Sequence, residues 1–489
     1  MPSKVRALVS FSIALLFAGT ALPAQARAPH SGTGISPALC GAGDIREPGI
    51  QGWVPAGQKA HYNCGVKLVS QLPLGGNVQG IGKCAYVRSR GQGGGDRIFV
   101  VDVSDPAKPV VVGKPLRTHI HSESLRVRVT KDRAIMVSGA SVFDVSDCLH
   151  PKLLGEIKWP KLTVPGIPSN ILLPHDIRIN HTGTKVYASF GVWVADITNL
   201  HDPNSWKVTD DRCVVAAQIP GPWQDVQREA IEAGHSLCAD AAKPAPQGAN
   251  YQEGSSPLMA SLLWPQVSHS PALNAEDTLL YVGDQAGGNS ALWAPVPKIR
   301  IIDITRSPMK IIGEFTGAGH GLDWFRSGGR DYLLHSNEVG ILEGTSGVGD
   351  TCAPYPRPQS LGWAYEAYIT DVTDPAKARD VSMLKIAINE PRFCKLRKAS
   401  GYHPSIAYHL IDNIINPKFA MVNFGDAGYR FFDIRDPEHP TEVAYFNHGR
   451  PTHAGVGYYD AKRGLVYAAS PNTFWVLQIE PQVRRRLGL

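Results

Sequence analysis

The chain has 489 residues, of which 43% are hydrophobic and 19% are charged, and its formal net charge is +6. One hydrophobic core organises only about 250–300 residues, so this length predicts several stacked units rather than one simple core. Lysine and arginine are scattered and the densest basic run is Arg484–Arg486, so the charge pattern does not indicate a nucleic-acid-binding protein.

The N-terminal segment has the three parts of a secretory signal peptide. Lys4 and Arg6 precede the apolar run Ala7–Leu22, and Ala24-Gln25-Ala26 matches the small-residue pattern of a cleavage site. The alternative is an uncleaved anchor, but this run is shorter than the about 20 residues that cross a bilayer. We therefore predict a signal peptide over residues 1–26, no membrane span after it, and a periplasmic or secreted protein.

A Gly- and Pro-rich segment follows, which we predict to be an extended arm over residues 27–58. The next segment, Gly65–Leu74, alternates apolar and polar residues as a β-strand does. It resembles the strand that follows the turn in later units, such as Val110–Leu116, yet no complete unit precedes it. We therefore expect its partner strands to lie elsewhere in the chain.

Seven short hydrophobic runs end in variants of one phrase, a strand followed by a turn that Asp-Pro or a similar pair opens. The first reads FVVDVSDPAKP, ending at Pro109, and the sixth reads RFFDIRDPEHP, ending at Pro440. One such unit cannot bury its own apolar face, and seven β units that stack radially form a propeller. In six copies one position holds an aspartate, which we expect to cap its own turn. These residues are Asp102, Asp144, Asp196, Asp303, Asp371 and Asp433, and Gln478 takes this position in the seventh copy.

The predicted fold class is therefore all-β, a seven-bladed β-propeller over residues 59–489. The C-terminal segment Gly464–Ile479 has no outer strand after it, so we predict that the N-terminal strand closes the last blade and leaves no exposed sheet edge. The long gap between Asp196 and Asp303 could hold an eighth blade, but it lacks the repeated phrase. We interpret about 204–262 as an insertion, and about 340–360 as a second one.

A second periodic feature is a histidine at the predicted start of each innermost strand except the first. Innermost strands line the central channel, so six imidazoles would face one axis. Imidazole is the commonest neutral metal ligand and suits copper, iron and zinc, so the pattern predicts a transition-metal site. The alternative is a structural role, in which each ring bonds the backbone of a neighbouring blade. The predicted ligands are His121, His175, His269, His320, His403 and His453.

Three acids lie within three residues of these histidines. Glu123 and Asp323 are the candidate catalytic residues, either as bases or as groups that orient an imidazole. Strand alternation places Asp176 on the opposite face from His175, so we expect Asp176 to form an inter-blade hydrogen bond. The histidines in predicted turns should be exposed; they are His150, His181, His201, His439 and His448.

Eight cysteines follow the predicted signal peptide, and no two are spaced as CxxC. An even number in an exported protein favours disulfides over a zinc site. Spacing does not determine the pairing, and the pairs closest in sequence are Cys40–Cys64, Cys213–Cys238 and Cys352–Cys394.

The phrase DVSDPAKPVVVG, Asp102–Gly113, resembles the LVIVD repeat of exported bacterial β-propeller proteins, and the resemblance covers nearly the whole chain after the signal peptide. It implies the propeller fold. The chain is more remotely similar to the selenium-binding protein and methanethiol oxidase family, whose seven-bladed members carry DISDP-like turns and are thought to bind copper through histidines. His119-Ile-His121 is an approximate counterpart of that family's adjacent histidines, and its CxxC has no match here.

Together these features predict an exported, metal-dependent propeller enzyme. We expect an oxidoreductase that acts on a small organic substrate at a histidine-lined axial site, with copper or iron favoured over zinc. The alternative is a non-catalytic β-propeller binding module for a small ligand or a partner protein. The sequence does not indicate the oligomeric state.

Overall fold

A computed structural model describes most of the repeated region. The described residues are 38–55, 61–90, 96–120, 122, 124–159, 176–189, 193–210, 268–284, 298–307, 309–317, 319–336, 367–402, 409–449, 455 and 457–489. The predicted signal peptide and nearly all of both predicted insertions lie outside these ranges. Among the helices within them, none is long and apolar enough to cross a bilayer.

The described residues contain twenty-nine β-strands in seven antiparallel sheets, and each sheet is one blade of a propeller. Two strands precede the first blade: β1 Tyr62–Cys64 and β2 Val66–Leu72. Blade 1 contains β3 Asn77–Ile81, β4 Cys84–Arg90, β5 Asp96–Asp102 and β6 Val110–Arg117. Blade 2 contains β7 Leu125–Val129, β8 Ala134–Ser138, β9 Ser141–Asp144 and β10 Lys152–Glu156. Blade 3 contains β11 Ile177–Ile179, β12 Lys185–Ala188, β13 Trp193–Asp196 and β14 Lys207–Asp210.

The remaining blades follow the same order from the innermost strand outward. Blade 4 contains β15 Ser268–Leu273, β16 Leu279–Asp284, β17 Lys298–Asp303 and β18 Lys310–Thr316. Blade 5 contains β19 Gly321–Ser327, β20 Arg330–Ser336, β21 Ala367–Asp371 and β22 Arg379–Leu384. Blade 6 contains β23 His409–Ile411, β24 Phe419–Asn423, β25 Tyr429–Asp433 and β26 Thr441–Asn447. Blade 7 contains β27 Tyr458–Asp460, β28 Leu465–Ala469 and β29 Phe474–Ile479.

The seventh blade is completed by β2, which precedes the first blade in the chain. β2 pairs antiparallel with β29, from Val66 opposite Ile479 to Leu72 opposite Phe474. β1 adds a fifth strand to blade 6 by pairing with β26. The seven-bladed propeller and its closure by an N-terminal strand are therefore confirmed.

Apolar side chains between the blades hold the ring together. Each of seven buried clusters combines residues of two adjacent blades, as Ile135 of blade 2 and Val186 of blade 3 do. Since every pair of neighbouring blades shares one cluster, the hydrophobic core is a closed ring and not a single centre.

The repeated aspartates cap their turns as predicted. In each of the six copies a side-chain oxygen accepts a hydrogen bond from the backbone N–H two residues later. The acceptors and distances are Asp102 (2.8 Å), Asp144 (2.8 Å), Asp196 (2.9 Å), Asp303 (3.0 Å), Asp371 (3.1 Å) and Asp433 (3.1 Å). In the seventh position Gln478 instead donates to the carbonyl of Gly464 at 2.9 Å.

Within the described ranges, two α-helices are present, α1 Cys394–Ser400 between blades 5 and 6 and α2 Pro481–Leu487 after blade 7. Short 3-10 turns occupy Pro203–Ser205, Pro375–Lys377, Ala387–Asn389, Pro391–Phe393 and Gly425–Ala427. The first of these turns leads into β14, so residues 204–210 belong to blade 3, whereas the sequence analysis began an insertion at about 204.

Disulfides tie the outer parts of the ring. Cys40–Cys64, one of the pairs closest in sequence, is present and anchors the segment before β1. A second bond, Cys84–Cys148, links blade 1 to the turn of blade 2 and was not predicted. Cys394 is also disulfide-bonded. The predicted partner of Cys394 and the predicted pair Cys213–Cys238 lie outside the described residues.

Residues 38–55 pack against blade 6 around a buried ion cluster. The guanidinium of Arg430 in β25 donates to Glu47 of this segment and, at 3.1 Å, to Glu442 of β26. Gln51 donates to the second oxygen of Glu442 at 2.5 Å. The three charged groups are almost completely excluded from solvent, so they satisfy one another and not water.

Candidate functional site

Three of the eight predicted site residues lie in the described part of the chain: His269, His320 and Asp323. The others are Glu123, His121, His175, His403 and His453, which lie outside it. The three described residues come from blades 4 and 5, at the start of β15 and β19. These innermost strands contact each other, so the residues share one face of the propeller near its axis.

The two described ring histidines contact each other directly. The ring centroids of His269 and His320 are 3.9 Å apart, and both residues are buried. Nδ1 of His269 lies 2.9 Å from the backbone carbonyl of His320, and Ser270 donates to the same carbonyl. A carbonyl oxygen only accepts, so the proton of His269 is on Nδ1 and its Nε2 carries the lone pair.

A further axial histidine, His409, was missed by the sequence analysis. It is the first residue of β23, and its Nδ1 lies 2.8 Å from a carboxylate oxygen of Asp323. Its Nε2 is buried over the backbone of Gly321, where a Cβ would come within 2.8 Å of it. His403, the predicted axial histidine of this blade, lies outside the described residues. The signal that could have found His409 is the hairpin that it opens, HLI paired with FAMVN.

Inter-blade ion pairs surround these rings. Arg126 of β7 donates to both oxygens of Asp176, at 3.1 and 3.2 Å, and to the carbonyl of Ile177 at 3.0 Å. Asp176 thus links blades 2 and 3, which confirms its predicted inter-blade hydrogen bond.

Arg178 of β11 connects three consecutive blades. Its Nε donates to the carbonyl of Pro271 in blade 4 at 3.1 Å. Its Nη2 donates to the carbonyl of Leu322 in blade 5 at 2.6 Å and to Asp323 at 3.2 Å. Asp323 therefore bridges Arg178 and His409, and the guanidinium of Arg178 lies along the inner strands that line the axial channel.

Both axial carboxyl groups are held in the ionised form. Burial alone would raise the pKa of Asp176, but Arg126 and Arg178 outweigh it and lower that pKa below its usual value. Burial also opposes ionisation of Asp323, and the hydrogen bond from His409 together with Arg178 lowers its pKa in the same way. An ionised Asp323 accepts the Nδ1 proton of His409, which fixes the orientation of the imidazole ring.

In the described part of the site, the potential metal ligands in direct contact are the imidazole rings of His269 and His320. Among the described residues, only Cys40, Asp44 and Cys64 form a set of three potential ligands whose atoms all lie within 4.8 Å of one another. Their sulfurs are joined in the disulfide. The described axial histidines therefore do not form a three-ligand centre by themselves, and any further ligands would come from outside the described residues.

The histidines predicted in exposed turns divide into two groups. His150, His201 and His439 are exposed, as predicted. The prediction is wrong for His448, which stacks on Trp475 with ring centroids 4.5 Å apart and whose burial lowers its pKa to about 4. His181 is also half-buried, with Nδ1 2.6 Å from Asp277 of blade 4.

No protein-family model matches the chain, and the search of curated proteins finds no match. Among solved structures, the chain is similar to the crystal structure of the C-terminal WD40 domain of Sif2, with 9% sequence identity and a TM-score of 0.40. The similarity covers 84% of this chain and 98% of that domain. At this identity and TM-score it carries no argument about function, and the propeller assignment here rests on the strand order and the packing between blades.

Proposed function

We propose that this protein is an exported, metal-dependent propeller enzyme, an oxidoreductase that acts on a small organic substrate near the propeller axis. The observation that supports it is the pair His269 and His320, two buried imidazoles in contact at the start of adjacent inner strands. We propose that they bind a transition-metal ion together with some of the remaining ring histidines: His121, His175, His403 and His453.

The hydrogen bonding of His269 suits a ligand. Metal-ligating histidines commonly donate one ring N–H to a carbonyl or carboxylate and coordinate with the other nitrogen. His269 donates from Nδ1 to the carbonyl of His320, which fixes its ring and directs the Nε2 lone pair away from the backbone. Imidazole ligands suit copper and iron, which would supply one-electron chemistry when bound, and also zinc.

Asp323 fits the role of an orienting group better than that of a proton donor. Its carboxylate accepts from His409 and from Arg178, and both bonds require the ionised form. Glu123, the other candidate catalytic acid, precedes the inner strand of blade 2 in the sequence and lies outside the described residues.

The proposed periplasmic or secreted location rests on two features. The first is the signal-peptide pattern of residues 1–26. The second is the presence of Cys40–Cys64 and Cys84–Cys148, since disulfides persist mainly in oxidising compartments.

Metal analysis of protein purified without chelators tests the proposal. We expect about one equivalent of copper or iron, and we expect His269→Ala and His320→Ala to lose most of it. Each metal-free variant should unfold within about 1–2 kcal/mol of the metal-free wild type, as for an ordinary substitution. His439→Ala, in an exposed turn, is the matched control and should retain its metal.

A protein that holds no transition metal and takes up none on titration contradicts the enzyme proposal. The second candidate, a non-catalytic binding module, would then be the better one.

A further inference from the structure

Arg178 has a hydrogen-bonding edge that its protein contacts do not use. Its Nε and Nη2 are bound to Pro271, Leu322 and Asp323, but Nη1 has no partner among the described residues. The side chain keeps 19% of its surface exposed. Because carbonyl groups of two blades hold the guanidinium in place, Nη1 presents two donors in a fixed direction without further loss of side-chain entropy.

Arg128 adds a second cation two residues beyond Arg126 on β7, on the same face of the strand. Its Nη2 donates to the carbonyl of Ile179 at 3.3 Å. No carboxylate of the described residues forms an ion pair with it.

Among the described residues, the axial ion pairs do not include Arg128. Asp176 pairs with Arg126 and Asp323 pairs with Arg178, whereas Asp277 attracts Arg128 only at longer range, without an ion pair. Burial lowers the pKa of Arg178, and the positive charges of Arg126 and Arg128 lower it further. The channel at this level thus favours an additional negative charge, because an anion would reduce the repulsion among the three guanidinium groups.

We propose that Arg178 and Arg128 bind a small oxyanion, a carboxylate or phosphate group, in the axial channel. The unused Nη1 of Arg178 donates to one oxygen of the anion, and the charge of Arg128 stabilises it from the neighbouring strand. Asp323 does not exclude the anion, since the ion pair with Arg178 already offsets its charge. This site needs no metal, so it does not depend on the proposed enzymatic function.

Calorimetric titration of chelator-treated protein at low ionic strength tests the site. Inorganic phosphate and acetate are titrated separately, so the preference between them identifies the class of anion. Treatment with a chelator removes any metal that could bind the anions itself. We expect saturable binding of at least one anion, and weaker binding as salt is added.

Arginine variants locate the binding. Arg178→Gln and Arg128→Gln should each weaken the preferred anion about tenfold or more, as expected when a charge-assisted hydrogen bond or a close cation is lost. Arg306→Gln is the matched control, because Arg306 forms an exposed ion pair with Asp303 on the outside of blade 4. It should bind within about twofold of wild type.

Two results would overturn the proposal: no binding of either anion by wild-type protein at millimolar concentration, or Gln variants that bind as tightly as Arg306→Gln. If Arg178→Gln does not fold, Arg128→Gln decides alone, since Arg128 has a single backbone hydrogen bond in the described structure.

Discussion

At the scale of single residues, the buried cluster around Arg430 makes stability depend on pH. Burial raises the pKa of Glu442 to about 7, and the opposing effect of Arg430 is partly offset by the second carboxylate, Glu47. The usual glutamate value, which applies to the unfolded chain, is 4.5. The folded protein therefore holds this proton more tightly than the unfolded chain does. The resulting stabilisation is complete below about pH 4.5 and is lost as the pH rises through about 7.

Glu442→Gln should remove this dependence, because an amide does not titrate. The unfolding free energy of wild type relative to the variant should fall by on the order of 2 kcal/mol between pH 5 and pH 8. Urea unfolding of both proteins at several pH values measures this difference. Glu438→Gln, in the turn of the same blade, is the control, and its unfolding free energy should change with pH as that of wild type does. A constant difference between wild type and Glu442→Gln would contradict the prediction.

At the scale of elements, the repeated turn determines where each blade changes direction. The aspartate at the end of the third strand, such as Asp102, accepts a hydrogen bond from the backbone N–H two residues later. In some copies a second aspartate, such as Asp105, accepts from the backbone N–H two residues after itself. These bonds are local, so the turn forms the same way in every copy regardless of which blades are neighbours. This explains why sequence alone predicted the blades.

Asp144→Ala tests the contribution of one cap. Its side chain bonds the N–H of Ser146 at 2.8 Å, and loss of this bond should lower the unfolding free energy by about 1 kcal/mol. Chemical denaturation measures the change. Asp132→Ala, an exposed aspartate in the preceding turn of the same blade, is the control and should change stability by less than about 0.5 kcal/mol. Equal effects of the two substitutions would show that the cap contributes nothing.

At the scale of the whole molecule, local patterns predicted the ring, and contacts between distant segments determined the site. The repeated phrase led to seven blades, and the orphan strand before the first blade led to the pairing of β2 with β29. The positions of His269 and His320 at inner strand starts followed from the same periodicity. The hydrogen bond between Asp323 and His409 did not follow from the periodicity. It depends on which residue begins β23, and the repeated phrase does not determine that residue. The contacts of Arg178 with blades 4 and 5 could not be predicted from the residues around Arg178.

Deletion of residues 60–74 should open the ring. It removes β1 and β2 and exposes the edges of β26 and β29, which are then free to pair with other molecules. We expect aggregation, measured by light scattering at micromolar concentration. A synthetic peptide spanning residues 62–74 should suppress it by filling the vacant edge, whereas a scrambled peptide of the same composition should not. A deletion variant that stays monomeric without the peptide would contradict the role of β2.

The pairing of β2 with β29 also sets a constraint on biosynthesis. The ribosome makes Val66 before almost all of the propeller and its partner Ile479 only with the last blade, so β2 has to remain unpaired until that blade is translated. During that interval the backbone N–H and C=O groups of β2 have no strand partner, so β2 can pair with other chains. Closing so long a loop costs entropy that shorter hairpins avoid, which makes this pairing a late and slow step. A nearly complete ring is therefore present in the cell while β2 is still unpaired, and β2 can then pair with other chains.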